Sequence, residues 1–161
     1  YGPDNPLDLT LNYNTSDDHK KIAIAAQQFY RPLGINLTLN NMEWKVHTDK
    51  MQSQDFDLAR YAWCGDYNEA STYLDLFTSY SGHNSGKFYS EEYDALMKES
   101  KTAEDPQHLY TQAEQILAEE MPAVPIYHYA KVDMISSDIK GLPTENVMQT
   151  WYGKDLYRVA E

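Results

Sequence analysis

The chain is short of several things at once. It has one cysteine, Cys64, among 161 residues, and no apolar run that approaches the roughly 20 residues a membrane-spanning helix needs. A single cysteine provides no internal disulfide framework, and without a C-x-x-C pair a thioredoxin-type redox motif is excluded. Positive charge is scarce: 13 Lys and Arg stand against 25 Asp and Glu, a net charge of −12. A surface of that sign repels phosphate backbones and anionic membranes, which makes nucleic acid a poor partner. Residues 1–11 have neither the basic n-region nor the apolar core of a signal peptide. They open on the turn-rich Y-G-P-D-N-P without an initiator Met, and the expectation is a piece of a longer polypeptide.

What is present suffices for an ordinary core. Hydrophobic residues make up 42% of the chain, and a chain of this length buries a core without disulfides or metals. Fourteen tyrosines are many for the length. With an apolar body and a polar tip, Tyr suits an interface or a lined cleft as well as a half-buried helix.

L-D-L-T-L-N-Y-N (7–14) alternates with period two and predicts a half-buried strand. Thr15 or Ser16 followed by Asp17 and Asp18 is a helix-start signal; the helix is predicted over 19–30, stopping at Pro32 and Gly34. A second strand is predicted at 35–40, a second helix at 43–52 and a third strand at 56–63. This β-α-β-α-β order favours parallel strands with right-handed crossovers, and ligands in such sheets bind beyond the strands' carboxyl ends. N-Y-N-T-S (12–16) and W-C-G-D-Y-N-E (63–69) both fall at such ends. Further along come a short helix at 70–77, a polar loop at 79–87, and amphipathic helices at 93–100 and 106–121. A strand over 122–135, entered through Pro122 and Pro125, and a short one at 155–159 complete the pattern.

W-C-G-D-Y-N-E carries the densest chemistry. A nucleophilic Cys64 needs a histidine base and an orienting group. His19, His47, His83, His108 and His128 are available, and none belongs to a local protease signature. A buried or disulfide-bonded thiol is the plainer reading. The histidines lack metal-ligand spacing and G-H-N-S-G lacks the Lys-Ser/Thr ending of a phosphate loop, so no metal or other cofactor is implied. Asp66 keeps two readings. Beside Trp63 and Tyr67 it can hold an ammonium group through a charge-assisted hydrogen bond, with the aromatics excluding water. Equally, it can cap the helix that starts near Glu69. Spacing alone does not choose.

Four stretches together bear a resemblance to a known family: L-N-Y-N-T-S-D-D-H-K-K-I-A-I-A, L-G-I-N-L-T-L-N-N-M-E-W-K, F-D-L-A-R-Y-A-W-C-G-D-Y-N-E and P-A-V-P-I-Y-H-Y. They resemble the periplasmic oligopeptide-binding proteins, the substrate-binding components of peptide ABC transporters, with murein-peptide binders included. The likeness runs from Leu7 to the D-L-Y-R-V tail, and Y-N-T-S-x-x-H-K-K and W-C-x-D-Y-N-E are its most specific blocks. It implies an α/β fold: a periplasmic-binding-protein type II lobe with a mostly parallel sheet flanked by helices. Residues 1–161 would form one lobe, the C-terminal portion of a two-lobed protein, with roughly 140–161 as a tail returning toward the other lobe. The implied role is binding and not catalysis. An oligopeptide ligand is held by main-chain and terminal charge contacts in an interlobe cleft, and a membrane permease is the partner of the full-length protein. The implied location is periplasmic, or lipid-anchored at the cell surface. Two alternatives stand beside it: the same fold holding murein tripeptide, dipeptide or a nickel chelate, and a cysteine-dependent hydrolase using Cys64.

By position, the resemblance makes Asp66 the partner of a peptide's α-amino group, with Trp63, Cys64 and Gly65 lying against the ligand. Arg60 and His19 match residues that reach the carboxylate end of peptides of particular lengths, and Tyr129 matches a tyrosine on the ligand main chain. Cys64 matches a half-cystine whose partner lies upstream of Tyr1. A second cleft arginine of the family falls on Met51, beside Lys50, so the expectation is that carboxylate recognition there is weakened or moved to Lys50.

Overall fold

Strand β1 (Leu7–Asn14) has hydrogen-bonded neighbours on both edges in the computed structural model, which describes residues 1–143 and 145–159. On one side lies β2 (Ile35–Met42), parallel and in register from Leu7↔Ile35 to Asn14↔Met42. On the other lies β3 (Leu58–Ala59), parallel through Leu11↔Leu58 and Asn12↔Ala59. The order β2-β1-β3 means that the chain steps from β1 to one neighbour and then crosses to the other. The chain divides into two units, Tyr1–Trp63 with Ser79–Lys87 and Cys64–Thr78 with Phe88–Glu161.

In the first unit, consecutive residues Asn12 and Tyr13 are both buried, because a central parallel strand is covered on both faces. Burying Asn12 demands hydrogen bonds: its Oδ1 accepts from Asn40 Nδ2 at 2.9 Å and its Nδ2 donates to the Asp55 carbonyl at 3.5 Å. Helix α1 (Asp17–Tyr30) places Ser16 at its N-cap with acids in the first turn, although the Ser16 hydroxyl makes no capping bond. Thr15 instead uses its hydroxyl on the Met42 carbonyl and Asn41 Oδ1, tying the ends of β1 and β2 together. Gln27 of α1 donates to the Leu37 carbonyl at 2.7 Å. Helix α2 (Trp44–Ser53) buries His47 and Met51, one turn apart on one face.

The stop after α1 is a 3-10 turn (Arg31–Leu33) closed by Gly34 at φ 76°. Gly34 accepts the Leu7 amide at 2.8 Å, so the turn also seats the start of β1. A Cβ on Gly34 would lie 2.2 Å from the Gly2 carbonyl carbon.

The second unit is helical at its core. Short α3 (Ser71–Leu74), α4 (Glu91–Ser100) and α5 (Gln107–Glu120) enclose Leu74, Tyr93, Leu96, Met97, Leu109 and Tyr110. Tyr93, fully buried, donates its hydroxyl to the Leu74 carbonyl at 2.6 Å and meets Phe88 edge-on. Ser90 caps α4 by accepting the Tyr93 amide, with Glu91, Glu92 and Asp94 at the positive helix end.

Two predicted strands come out differently. The strand expected at 56–63 pairs only at Leu58–Ala59. The Asp57 carboxylate takes the Thr10 amide at 2.9 Å, a donor on the edge of β1 that a longer β3 ladder would face, and past Arg60 the chain leaves the sheet. The stretch 122–135 carries no helix or strand. Pro122 and Pro125 supply no amide donors, and a strand exists only by pairing; no partner strand lies beside it among the described residues. The tail does pair, as β4 (Ile139–Lys140) antiparallel to β5 (Tyr157–Arg158), with Gly141 at φ 91°.

Gly34→Ala is expected to cost about 1–3 kcal/mol from the left-handed backbone alone, more once the Gly2 contact is included. A urea-denaturation midpoint unchanged from wild type would contradict that role.

Candidate functional site

In an open parallel sheet, ligands bind outside the strands' carboxyl ends where the strand order reverses. With the order β2-β1-β3, that point lies between the ends of β1 and β3. The Arg60 amide donates to the Asn12 carbonyl at 2.8 Å, which continues the ladder and brings Arg60 beside the last residues of β1. Arg60 Nη1 then donates to Asn14 Oδ1 at 3.4 Å. His19, in the first turns of α1, donates Nδ1–H to the Asn14 carbonyl at 3.3 Å. Two of the expected ligand residues, Arg60 and His19, are therefore gathered on one residue, Asn14. Both are partly exposed, and a guanidinium with an imidazole at a strand end suits a carboxylate. Beneath them, His47 Nε2–H donates to the Arg60 carbonyl at 2.9 Å. Burial holds the His47 imidazole below its usual basicity, and the positive charges of Arg60 and His19 act in the same direction against the hydrogen bond to Arg60. Trp63 ends this part of the unit, its ring 4.6 Å from that of His83. Its indole N–H is buried with no hydrogen-bond partner among the described residues.

Cys64, Gly65 and Asp66 form a turn in the second unit. The Cys64 thiol is exposed. The Asp66 amide donates to the buried Thr72 Oγ1 at 2.8 Å, which closes the turn onto α3. Asp66 does not cap that helix: α3 begins at Ser71 with Ala70 at the N-cap position. Its side chain is exposed and makes no hydrogen bond or ion pair with the described residues. Gly65 fits closely, since an added Cβ would meet Tyr73 Oη at 3.1 Å and Thr72 Cγ2 at 3.2 Å. The acid that does structural work is Glu69. Its carboxylate accepts from the Tyr110 hydroxyl in a short bond and from Ser71 Oγ at 3.1 Å, while Tyr67 Oη lies 2.9 Å from Ser71 Oγ. Burial, reinforced by Glu69, pushes the Tyr110 hydroxyl above the usual tyrosine range, so it stays a donor.

Tyr129 lies in the irregular 122–135 stretch, 57% exposed, with its ring edge-on to Tyr127 at 4.8 Å. At the position where an arginine was expected, Met51 is buried in the core, and Lys50 is paired with Asp55. A cavity of about 460 Å³ opens among residues 131–156, bordered by Lys131, Asp133, Ile139 and Trp151, and no expected ligand residue borders it. No cluster able to hold a metal ion occurs among the described residues.

Asn14, His47 and Thr72 escaped the sequence reading. Asn14 lies in N-Y-N-T-S, at a strand end, but nothing in the motif says that the side chains of Arg60 and His19 converge on it. For His47 the trace was its i, i+4 spacing from Met51. Thr72 left none.

An α/β unit whose polar side chains converge on the carboxyl ends of parallel strands is the frame of a ligand-binding protein. The model for "Bacterial extracellular solute-binding proteins, family 5 Middle" matches residues 2–85, and the chain belongs to that family. It is 40% identical over 99% of its length to the periplasmic murein peptide-binding protein MppA of Escherichia coli. With the periplasmic oligopeptide-binding protein OppA of the same organism it shares 37% identity over 99% of its length. Haemophilus influenzae OppA in complex with RPPGFSPFR superposes with a TM-score of 0.86 at 34% identity, covering 99% of this chain and 32% of that one. The structure of Escherichia coli MppA gives 0.87 at 39% identity, covering 100% and 32%. The chain spans about 30% of the length of these two curated relatives. The α/β fold with a parallel sheet flanked by helices, expected of a type II lobe, is thereby shown.

If Thr72 holds the turn, Thr72→Val loses the acceptor for the Asp66 amide and costs about 1 kcal/mol, and Thr72→Ser restores most of it. Hydrogen exchange at the Asp66 amide should accelerate in the Val variant only; equal exchange in all three proteins counts against the bond.

Proposed function

We propose that this chain is the C-terminal portion of a two-lobed periplasmic protein that binds oligopeptides for an ABC transporter. The observation that carries this reading is Asp66: an exposed carboxylate, unpaired among the described residues, on a turn fixed by Thr72 and closely packed at Gly65. Its likeness over nearly the whole chain to MppA and OppA supplies the ligand class. In this reading Asp66 takes the peptide's α-amino group, and Trp63, Cys64 and Gly65 lie along its first residues. Tyr129 contacts the main chain, and Arg60 with His19 serves the carboxylate end of peptides of matching length. Side chains are left in hydrated space, because a carrier of many sequences draws affinity from main-chain and terminal groups. Closure of the two lobes then buries the peptide, and the closed form is presented to the membrane permease. About residues 140–161, of which 144, 160 and 161 lie outside the described residues, act in this reading as the tail that returns toward the other lobe. Cys64 is a half-cystine in this reading, and the protein binds without catalysing. The 40% identity to a murein peptide-binding protein keeps murein tripeptide as a second candidate ligand.

In the intact protein, Asp66→Ala should weaken binding of trialanine ten- to a hundredfold, the equivalent of a charge-assisted hydrogen bond worth about 1.5–3 kcal/mol. N-acetyl-trialanine should lose far less, and equal losses for both peptides in titration calorimetry would sink the assignment. The chain on its own holds only part of the cleft and should bind weakly. Sub-micromolar binding by it would contradict the two-lobed reading.

A further inference from the structure

We propose that His47 is a positioning residue for Arg60, setting the preference for a peptide's free carboxylate and making that preference pH-dependent. This rests on the reading of Arg60 given above. The geometry is specific. His47 is 2% exposed, and its Nε2 lies 2.9 Å from the Arg60 carbonyl oxygen. A carbonyl only accepts, so the neutral imidazole carries its proton on Nε2, and Nδ1 keeps a lone pair. Nδ1 is buried and without a hydrogen-bond partner among the described residues.

That bond crosses from α2 to the residue just beyond β3. Two bonds from different elements hold the Arg60 backbone: its amide donates to Asn12 and its carbonyl accepts from His47. The ladder supplies the first, but β3 is two residues long and cannot hold Arg60 through further rungs. The second adds a hold from α2 on the residue whose guanidinium reaches Asn14.

Protonation disturbs this arrangement by its own chemistry. A proton on Nδ1 creates a buried N–H with no acceptor and a positive charge in a desolvated site. The charged or titratable groups that act on His47 from other elements are Arg60, beyond β3, and His19, on α1; both oppose a positive charge on the ring. On its own helix the near neighbour is the uncharged Trp44 ring, 6.1 Å away. The sign follows. The folded state binds this proton less readily than the unfolded chain. The native arrangement is thus fully favoured above the ordinary histidine range and loses ground as pH falls through about 6.5, levelling off below the lowered folded-state value. Opening of the His47–Arg60 contact is the local way to rehydrate the ring.

The test uses the intact protein and alanine peptides from dialanine to pentaalanine, each as free acid and as C-terminal amide. The affinity ratio of acid to amide is measured between pH 5 and pH 7.5 for wild type, His47→Gln, His47→Phe and Arg60→Ala. For the peptide length that Arg60 serves, the wild-type ratio should fall on acidification. His47→Phe keeps the volume but loses the donor, and should lower the ratio about fivefold at pH 7.5. His47→Gln places an amide N–H near the position of Nε2; it should recover most of the ratio at pH 7.5 and lose the fall on acidification. A wild-type pH slope in His47→Gln overturns the proposal, as does an unchanged ratio in His47→Phe while Arg60→Ala abolishes it; in either case the Arg60 reading survives. If Arg60→Ala itself leaves the ratio untouched at every length, both fall.

Discussion

Pairing of β1 on both of its edges is the constraint on which the first unit depends. Because β1 is central, Asn12 and Tyr13 are buried on opposite faces, and Asn12 must then be satisfied by Asn40 and the Asp55 carbonyl. Because β2 and β3 flank β1, the strand order reverses beside it, and the loops after β1 and β3 diverge around one point. Asn14 ends one strand and Arg60 follows the other; a single ladder bond, from the Arg60 amide to Asn12, makes them neighbours. His19 joins because α1 begins immediately after β1 and turns its third residue back to the Asn14 carbonyl.

The second unit solves a different problem. In the proposed reading, a carboxylate that takes a ligand must stay solvated and unpaired in its own protein while its backbone is held still. Asp66 meets the first need by exposure. The second is met around it. Thr72 takes its amide, Gly65 packs closely against Tyr73 and Thr72, and Glu69 is locked to Tyr110 and Ser71. Of the two acids in W-C-G-D-Y-N-E, one is fastened and the other is left available, and neighbouring donors make the difference. Such division of labour is what preorganised binding requires, because a turn ordered in advance pays no ordering entropy when the ligand arrives.

Local pattern was a good guide wherever local physics decides. Leu7–Asn14 alternates and is a strand with those bounds; Asp17–Tyr30 begins with acids and ends at Pro32 and Gly34; α4 and α5 follow their apolar spacing to within two residues. Pattern misled where pairing decides. The run 56–63 has the composition of a long strand, yet only two residues pair, because the Asp57 side chain takes an amide on the edge of β1. The stretch 122–135 reads as a strand and remains irregular, since no strand lies beside it among the described residues. Of the site, the motif containing Asp66 was visible as a dense run of chemistry, with its two readings unresolved by spacing. Thr72 was invisible because no periodic pattern links it to Asp66, six positions earlier.

By itself the sequence determined the order of elements, the acidic surface and the segments that end at strand termini. Charge, hydrophobic period and turn residues are properties of neighbours along the chain. Tertiary structure alone decided that Arg60 and His19 meet at Asn14, that His47 lies under Arg60, and that Asp66 is exposed while Glu69 is bound. Those outcomes depend on which backbone donors and acceptors remain after the sheet and helices have formed, and that remainder is fixed only when distant segments pair.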